Sequence, residues 1–346
     1  MRAAFAEQAM WCERLGSPFM ARLCELLGRH LDRRSATGER ILSWPGDPSP
    51  SSDVLPLRLC GGLHALVRAG RLPELAALYP PNPAPADDLL WPAIADAIHE
   101  ADDELGPWLD LAPQTNEVGR SAVLMAGLMT IAADTKLPLR LFELGSSAGL
   151  NLLLDLYGYT LGGIRAGAAA SPLQLAPEWR GPPPPKAPVE ILSRGGVDLR
   201  PVDLPGEGEK LLAYVWPDQL ERRSRLEAAI AVSAADPPAV AKGDAAEWLE
   251  RVLPLAPAAG AVRVVMHSIA FQYFPAGTQQ RIAALNARCG AAADKEGPLA
   301  WLRYEHESGD DQASLRVRSW PGGEDRLLAW CHPHGATVDW VVSMQD

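Results

Sequence analysis

The chain has 346 residues, 47% hydrophobic and 22% charged, the balance of an ordinary folded protein with room for about two domains. A formal net charge of −11 without any lysine/arginine block argues against a nucleic-acid partner and for a small neutral or cationic molecule. No run of ~18 uncharged apolar residues occurs, so no membrane span is expected.

The five cysteines (Cys12, Cys24, Cys60, Cys289, Cys331) are scattered and form no C-x-x-C pair, which predicts reduced, buried thiols and a cytoplasmic location. The opening stretch MRAAFAEQAMWCERL carries Glu7 and Glu13 and is amphipathic, unlike a secretory leader. Ser17-Pro18 reads as a helix cap followed by a first-turn proline, with Phe19, Leu23, Leu26, Leu27 and Leu31 inward. Residues 56–79 read as two short helices broken at Gly70, and 86–109 as another. Asn116 predicts an N-cap for a helix from Glu117 to about Asp134. Residues 1–138 are therefore expected to form a helical N-terminal region.

At Pro138 the pattern changes, and 139–346 reads as one α/β domain. Leu139–Leu144 is a short apolar run before a glycine-containing turn and the helical stretch Leu150–Tyr157. Residues 158–210 form a proline-rich insertion, expected to be extended, with a strand near Val189–Leu192. Strands are then expected at Leu211–Trp216, Val240, Val262–His267 and Leu299–Glu305, with helices at 219–233, 245–253 and 279–289 between them. Such alternation predicts a parallel sheet covered by helices. Ser314–Trp320 and Arg326–Trp330 flank Pro321-Gly322-Gly323 and predict an antiparallel hairpin, followed by a last strand near 336–342.

The segment FELGSSAGLNLLLDLY carries the most chemical information. A strand that feeds a glycine turn into a helix points backbone amides at whatever lies over the turn. Gly145 and Gly149 can adopt angles closed to other residues, and Glu143 sits where open α/β sheets bind ligands. A carboxylate there can accept hydrogen bonds from a ribose or an ammonium group. The same residues satisfy G-x-S-x-G, with Ser147 as a hydrolase nucleophile. That elbow follows earlier strands and an upstream oxyanion motif, whereas the 138 residues before this one read as helical. The nucleoside reading is preferred, with a serine esterase as the alternative and a plain structural turn as the third option.

Several stretches carry a resemblance to a known family: QTNEVGRSAVLMAGL (114–128), LRLFELGSSAGLNLLLDLYGY (139–159), VWPDQLERRSRL (215–226), GDAAEWL (243–249) and VVMHSIAFQYF (264–274). Together they resemble the bacterial family catalogued as domain of unknown function 2332, over nearly the whole chain. The family core is similar to class I S-adenosylmethionine-dependent methyltransferases. The resemblance therefore implies a Rossmann-like methyltransferase sheet with a C-terminal antiparallel hairpin, S-adenosylmethionine as cofactor and a small-molecule acceptor. On that pattern Glu143, Gly145, Ser146, Ser147 and Gly149 match the cofactor loop, with Ser147 where the family pattern has its middle glycine. Asp218 matches the acid that holds the ribose hydroxyls, and Asp244, between Gly243 and Ala245, the acid that meets the adenine amino group. His267 and Ser268 fall where the fourth strand ends, near the methyl donor.

His267 is the candidate general base, since its ordinary pKa lies near ~6.5. Tyr273 is a second catalytic candidate, and Gln272, Asn116, Glu117 and Arg120 are candidates for lining the acceptor pocket. Packing and capping explain each of them equally well. Arg194 reads as a solvated side chain, and His332-Pro333-His334 lacks an identifiable third metal ligand, so no metal is expected. A non-catalytic nucleoside-binding protein of the same fold stays open beside the two enzyme readings.

Overall fold

A computed structural model describes residues 1–254, 259–307 and 312–342, and the chain divides into two compact units. One comprises residues 1–115 and 206–224; the other, 116–205 and 225–346.

The first unit is helical: α1 (Arg2–Arg14), α2 (Pro18–His30), α3 (Ala36–Leu42), α4 (Leu55–Arg68), α5 (Pro73–Ala76), α6 (Asp87–Glu100) and α7 (Asp102–Leu105). Ser17 caps α2 by accepting the Met20 amide, with Pro18 in the first turn, as the sequence predicts. Phe5, Leu23, Leu27, Ile41, Leu59, Leu63 and Leu90 share one core with no more than traces of exposure. The segment 206–224 completes this unit. Leu211, expected to open a strand, instead ends the helix Leu204–Ala213. A short apolar run reads alike as a buried strand or a buried helix, and here the core claims Leu211, Leu212 and Ala213 as helix.

The second unit begins with α8 (Arg120–Thr135), in which every residue from Ser121 to Ala132 is buried. It starts three residues later than expected, and no side chain caps it. Among the described residues twelve strands follow: β1 (Leu139–Leu144), β2 (Gly158–Leu161), β3 (Ile164–Gly167), β4 (Gln174–Leu175), β5 (Glu178–Arg180), β6 (Ile191–Asp198), β7 (Val240–Lys242), β8 (Val262–Ser268), β9 (Leu299–His306), β10 (Ala313–Trp320), β11 (Glu324–Cys331) and β12 (Thr337–Trp340). Among the described residues no strand precedes Leu139.

Nine strands form one sheet, ordered β5-β12-β11-β10-β9-β8-β1-β6-β7. The five from β7 to β9 run parallel. The hairpin β10–β11 and then β12 extend the sheet antiparallel, and β5 closes the edge parallel to β12. All seven residues of β8 are buried, the pattern of a strand covered on both faces. Counted in chain order, the parallel strands stand 3-2-1-4-5. The chain thus enters at the centre, adds β6 and β7 on one side, and crosses to β8 and β9 on the other. The carboxyl ends of β1 and β8 flank the point where this order reverses, the crevice in which open α/β sheets place ligands.

The insertion is more ordered than its prolines suggest. It holds the small sheet β3-β2-β4, the edge strand β5 and, in β6, the strand beside β1. After the glycine turn the chain forms not an α-helix but a buried 3₁₀ helix, Leu150–Leu156. The hydroxyls of Tyr157 and Tyr159 pin it by donating to the Leu150 and Leu154 carbonyls at 2.7 and 2.6 Å.

Candidate functional site

The glycine turn sits at the carboxyl end of the central strand. Gly145 and Gly149 have φ of +71° and +75°, the left-handed region open to glycine. A side chain on Gly145 would lie 2.7 Å from the Ala270 Cβ, so the loops leaving β1 and β8 touch where the chain is barest. Ser147 takes φ +53°, the left-handed backbone that a glycine would adopt there. Ile269, just past β8, is also left-handed at φ +48°, an outlier for a β-branched residue. Two strained residues thus flank the same crevice, the distribution expected of a functional site.

The turn's amides do not face outward as expected. Those of Gly145 and Ser146 both donate to the Val197 carbonyl, at 2.9 and 3.0 Å. Ser147 donates its amide to Asp198 Oδ2 at 2.8 Å, and Gly149 to the Ser146 carbonyl at 2.7 Å. Asn116 Oδ1 takes the Leu150 amide at 2.9 Å, and Ser121 donates to Asn151 Oδ1 at 2.7 Å. Asn116 therefore caps the 3₁₀ helix rather than α8. The strand behind the turn is shaped to receive it, since a side chain at Gly196 would strike Ser146 Oγ.

Glu143 is buried, and its Oε2 has no hydrogen-bond partner among the described residues. Burial pushes its carboxyl up to about 8; the Ser146 hydroxyl and the Arg120 charge pull the other way, while the Asp198 charge adds to the rise. Asp198 ends β6, the neighbouring strand, and also accepts the Arg200 amide at 2.9 Å. The sequence reading missed Asp198. Its signal was Gly196-Val197-Asp198, an acid closing a strand that the insertion's prolines and the two glycines before it obscured.

Asp218, expected to take that place, belongs to the helical unit. Its carboxylate accepts the Ser17 hydroxyl and, at 2.9 Å, the Phe19 amide, so it secures the start of α2. The expected strand before it is a helix, which removes the reason for placing it at a sheet edge.

Asp244 does follow β7, but it caps α11 (Ala245–Val252). Its Oδ1 accepts the Ala246 and Glu247 amides at 2.9 and 3.0 Å, and its Oδ2 accepts the Thr278 hydroxyl at 3.0 Å. β7 stands two strands from β1, about 10 Å across the sheet, and Glu143 is level with Val240, so Asp244 is set four residues further along the chain as well. Gly243 beside it has open space, and Ala245 is buried in the helix's first turn.

His267 is 1% exposed, and both ring nitrogens are engaged. Nδ1 meets Glu305 Oε1 at 2.6 Å, while Nε2 accepts the Trp301 indole N–H at 3.1 Å. The proton therefore sits on Nδ1, and the nitrogen that would act as base is already occupied. Phe271 stacks on the ring at 4.7 Å. Glu305 also takes the Ala270 and Phe271 amides; burial opposes its charge, yet the His267 bond and charge and those amides hold its carboxyl below the usual range. His267 thus joins the end of β8 to Glu305 and Trp301 of β9, with both ring nitrogens engaged by protein groups.

The remaining candidates separate cleanly. Arg120 donates to the carbonyls of Ser268 and Pro333, both at 3.0 Å, and so ties the end of β8 to the 332–334 turn. Glu117 is buried and accepts the Gly119 amide at 3.0 Å. Ser268 is buried at the crevice, whereas Gln272 is exposed and Tyr273 is 75% exposed, so neither is brought to Glu143. Arg194 pairs with Asp155 at 2.8 Å instead of standing in solvent. Ser147 Oγ is buried without a hydrogen-bond partner among the described residues, a histidine included. All five cysteines are buried and free of disulfides. Among the described residues, no helix is long and apolar enough to cross a membrane.

No curated protein and no solved structure matches the chain. A family model described as an uncharacterised protein conserved in bacteria, domain of unknown function 2332, covers residues 2–340, and the chain belongs to that family.

Proposed function

We propose that the sheet unit is an S-adenosylmethionine-dependent methyltransferase acting on a small molecule. One observation carries the reading: a buried carboxyl with an unpartnered oxygen, Glu143, stands one residue before the end of the first and central strand of a 3-2-1-4-5 parallel order. Leaving a buried polar atom unmatched costs about 1–3 kcal/mol, and a ligand with an ammonium or hydroxyl group removes that cost. Asp198, on the adjacent strand end, replaces Asp218 as the acid assigned to the ribose hydroxyls. The left-handed turn at Gly145, Ser147 and Gly149 keeps side chains out of the way of a nucleoside.

When bound, the cofactor supplies an activated methyl group on a sulfonium. The chain's own work is to bind, orient and exclude water. Glu143 holds the cationic end; Arg120 and Asn116 lock the loops that frame the crevice. His267 takes no proton in this scheme, so the acceptor is a nucleophile that reacts without it. Asp244 keeps α11 in place and does not itself read the base. The esterase alternative lacks its histidine and its preceding strands.

Calorimetric titration with S-adenosylhomocysteine tests the reading. Saturable binding, weakened about tenfold or more in Asp198→Asn, is expected. Absence of binding by both S-adenosylhomocysteine and S-adenosylmethionine contradicts it; binding without methyl transfer to a broad acceptor panel points to the non-catalytic alternative.

A further inference from the structure

A cavity of about 460 Å³ opens beside the glycine turn, within the second unit. Ala148 of the turn, Val202 after β6, Ile230 on the helix Leu220–Ser233, Ala234 just past its end, Pro238, and Val240 at the start of β7 wall it. Its size falls within the roughly 300–1,000 Å³ of small-molecule pockets.

The chemistry of the walls is one-sided. Pro201, Pro237 and Pro238 contribute no backbone N–H and hold fixed φ angles, so that part of the wall is rigid and offers no donor. Ser233 spends its hydroxyl on the Ile230 carbonyl at 2.7 Å. Asp203 is exposed and is the one charged side chain among the described residues of the lining, which disfavours an anion. The turn itself rests on this wall: a side chain at Gly149 would lie 2.7 Å from Val240 Cγ2 and 2.8 Å from Pro238 Cβ.

We propose that this cavity is a second binding site, distinct from Glu143, for an uncharged and largely hydrocarbon small molecule seated beside the turn at Ala148. The cavity opens to solvent beside Asp203, Ala234 and Pro237, and its remaining walls are mostly apolar. An apolar ligand gains by leaving water. The proposal stands whether or not a nucleoside binds at Glu143.

The probe is N-phenyl-1-naphthylamine, a neutral apolar fluorophore, titrated into the full chain. Saturable one-site enhancement is expected, with affinity reduced about tenfold or more in Ile230→Trp, whose indole fills the cavity. Ala234→Trp, at an exposed position, is a second variant that the fold tolerates, and thermal melting checks both. The affinity of S-adenosylhomocysteine should stay within about twofold in Ala234→Trp, since Ala234 is not among the residues assigned to the cofactor. Non-saturable enhancement, or unchanged probe affinity in a folded Ile230→Trp or Ala234→Trp, overturns the proposal. Competitive displacement of the probe by S-adenosylhomocysteine overturns the claim that the two sites are distinct.

Discussion

The helical unit and the carboxyl edge of the sheet treat their carboxylates differently. In the helical unit Asp218 gives its oxygens to Ser17 and the Phe19 amide at the start of α2. Asp102 takes the Ala36 and Thr37 amides at the start of α3, both at 2.7 Å. Both acids answer the orphan donors and positive end of a helix. At the sheet edge Asp244 behaves in the same way, but Glu143 does not. It lies in the interior with an oxygen that no protein group matches. Position near a strand end is therefore a weak guide to ligand binding. Asp198 gives one oxygen to the Ser147 amide and the other to the Arg200 amide, so a ribose hydroxyl would share an oxygen with a backbone donor there, whereas Glu143 Oε2 has no partner among the described residues.

The contrast can be broken most sharply at Glu143. Glu143→Gln is expected to lower the affinity for S-adenosylhomocysteine by about 2 kcal/mol or more, the worth of a charge-assisted hydrogen bond, in calorimetry. The same variant reports on the unliganded protein. A carboxyl raised from 4.5 to about 8 binds its proton more tightly in the folded than in the unfolded state. Stability is thus full below about 4.5, falls as pH rises toward about 8 and is level above it. Denaturation series across that window should show wild type losing stability relative to Glu143→Gln, and equal slopes would remove the buried carboxyl from the account.

The next effect lies at His267. Replacing it with Ala leaves Glu305 buried without its partner and Trp301 without its acceptor. A loss of about 3 kcal/mol in urea denaturation is expected, with cofactor affinity little changed. A stable variant that loses only activity would restore His267 as a base. Asp218→Ala should cost about 1–2 kcal/mol, as removal of a helix cap does, and leave ligand binding intact; lost binding would return Asp218 to the site. The smallest effect is expected at Asp244, where Asn keeps the cap oxygen and Ala loses about 1 kcal/mol. Strongly weakened binding in a stable Asp244→Asn would show that the acid reads the ligand after all.

Much of the architecture was legible from pattern alone. The V-R-V-V-M run gives β8, Pro321-Gly322-Gly323 gives the β10–β11 turn, and Ser17-Pro18 gives the start of α2. The glycine turn and Glu143 were legible because backbone geometry and a strand-end acid leave local signatures. Asp198 was not, because Arg194-Gly195-Gly196 breaks the apolar signal of β6 and Gly196 is set by its packing on Ser146, a contact distant in sequence. Nor was the fate of His267, which depends on Glu305 and Trp301 from the next strand. The domain boundary moved for a related reason. α8 is apolar all round and buries itself in the sheet unit, while residues 206–224 return to the helices.

The most direct test is the proton balance of binding. With its carboxyl near 8, Glu143 is largely protonated at pH 7 and must ionise to hold an ammonium group. Titration of S-adenosylhomocysteine in buffers of different ionisation enthalpy should show close to one proton released on binding to wild type and none with Glu143→Gln. Buffer-independent binding enthalpy in wild type, or identical proton release by both proteins, would contradict the assignment of Glu143 as the group that receives the ligand's positive charge.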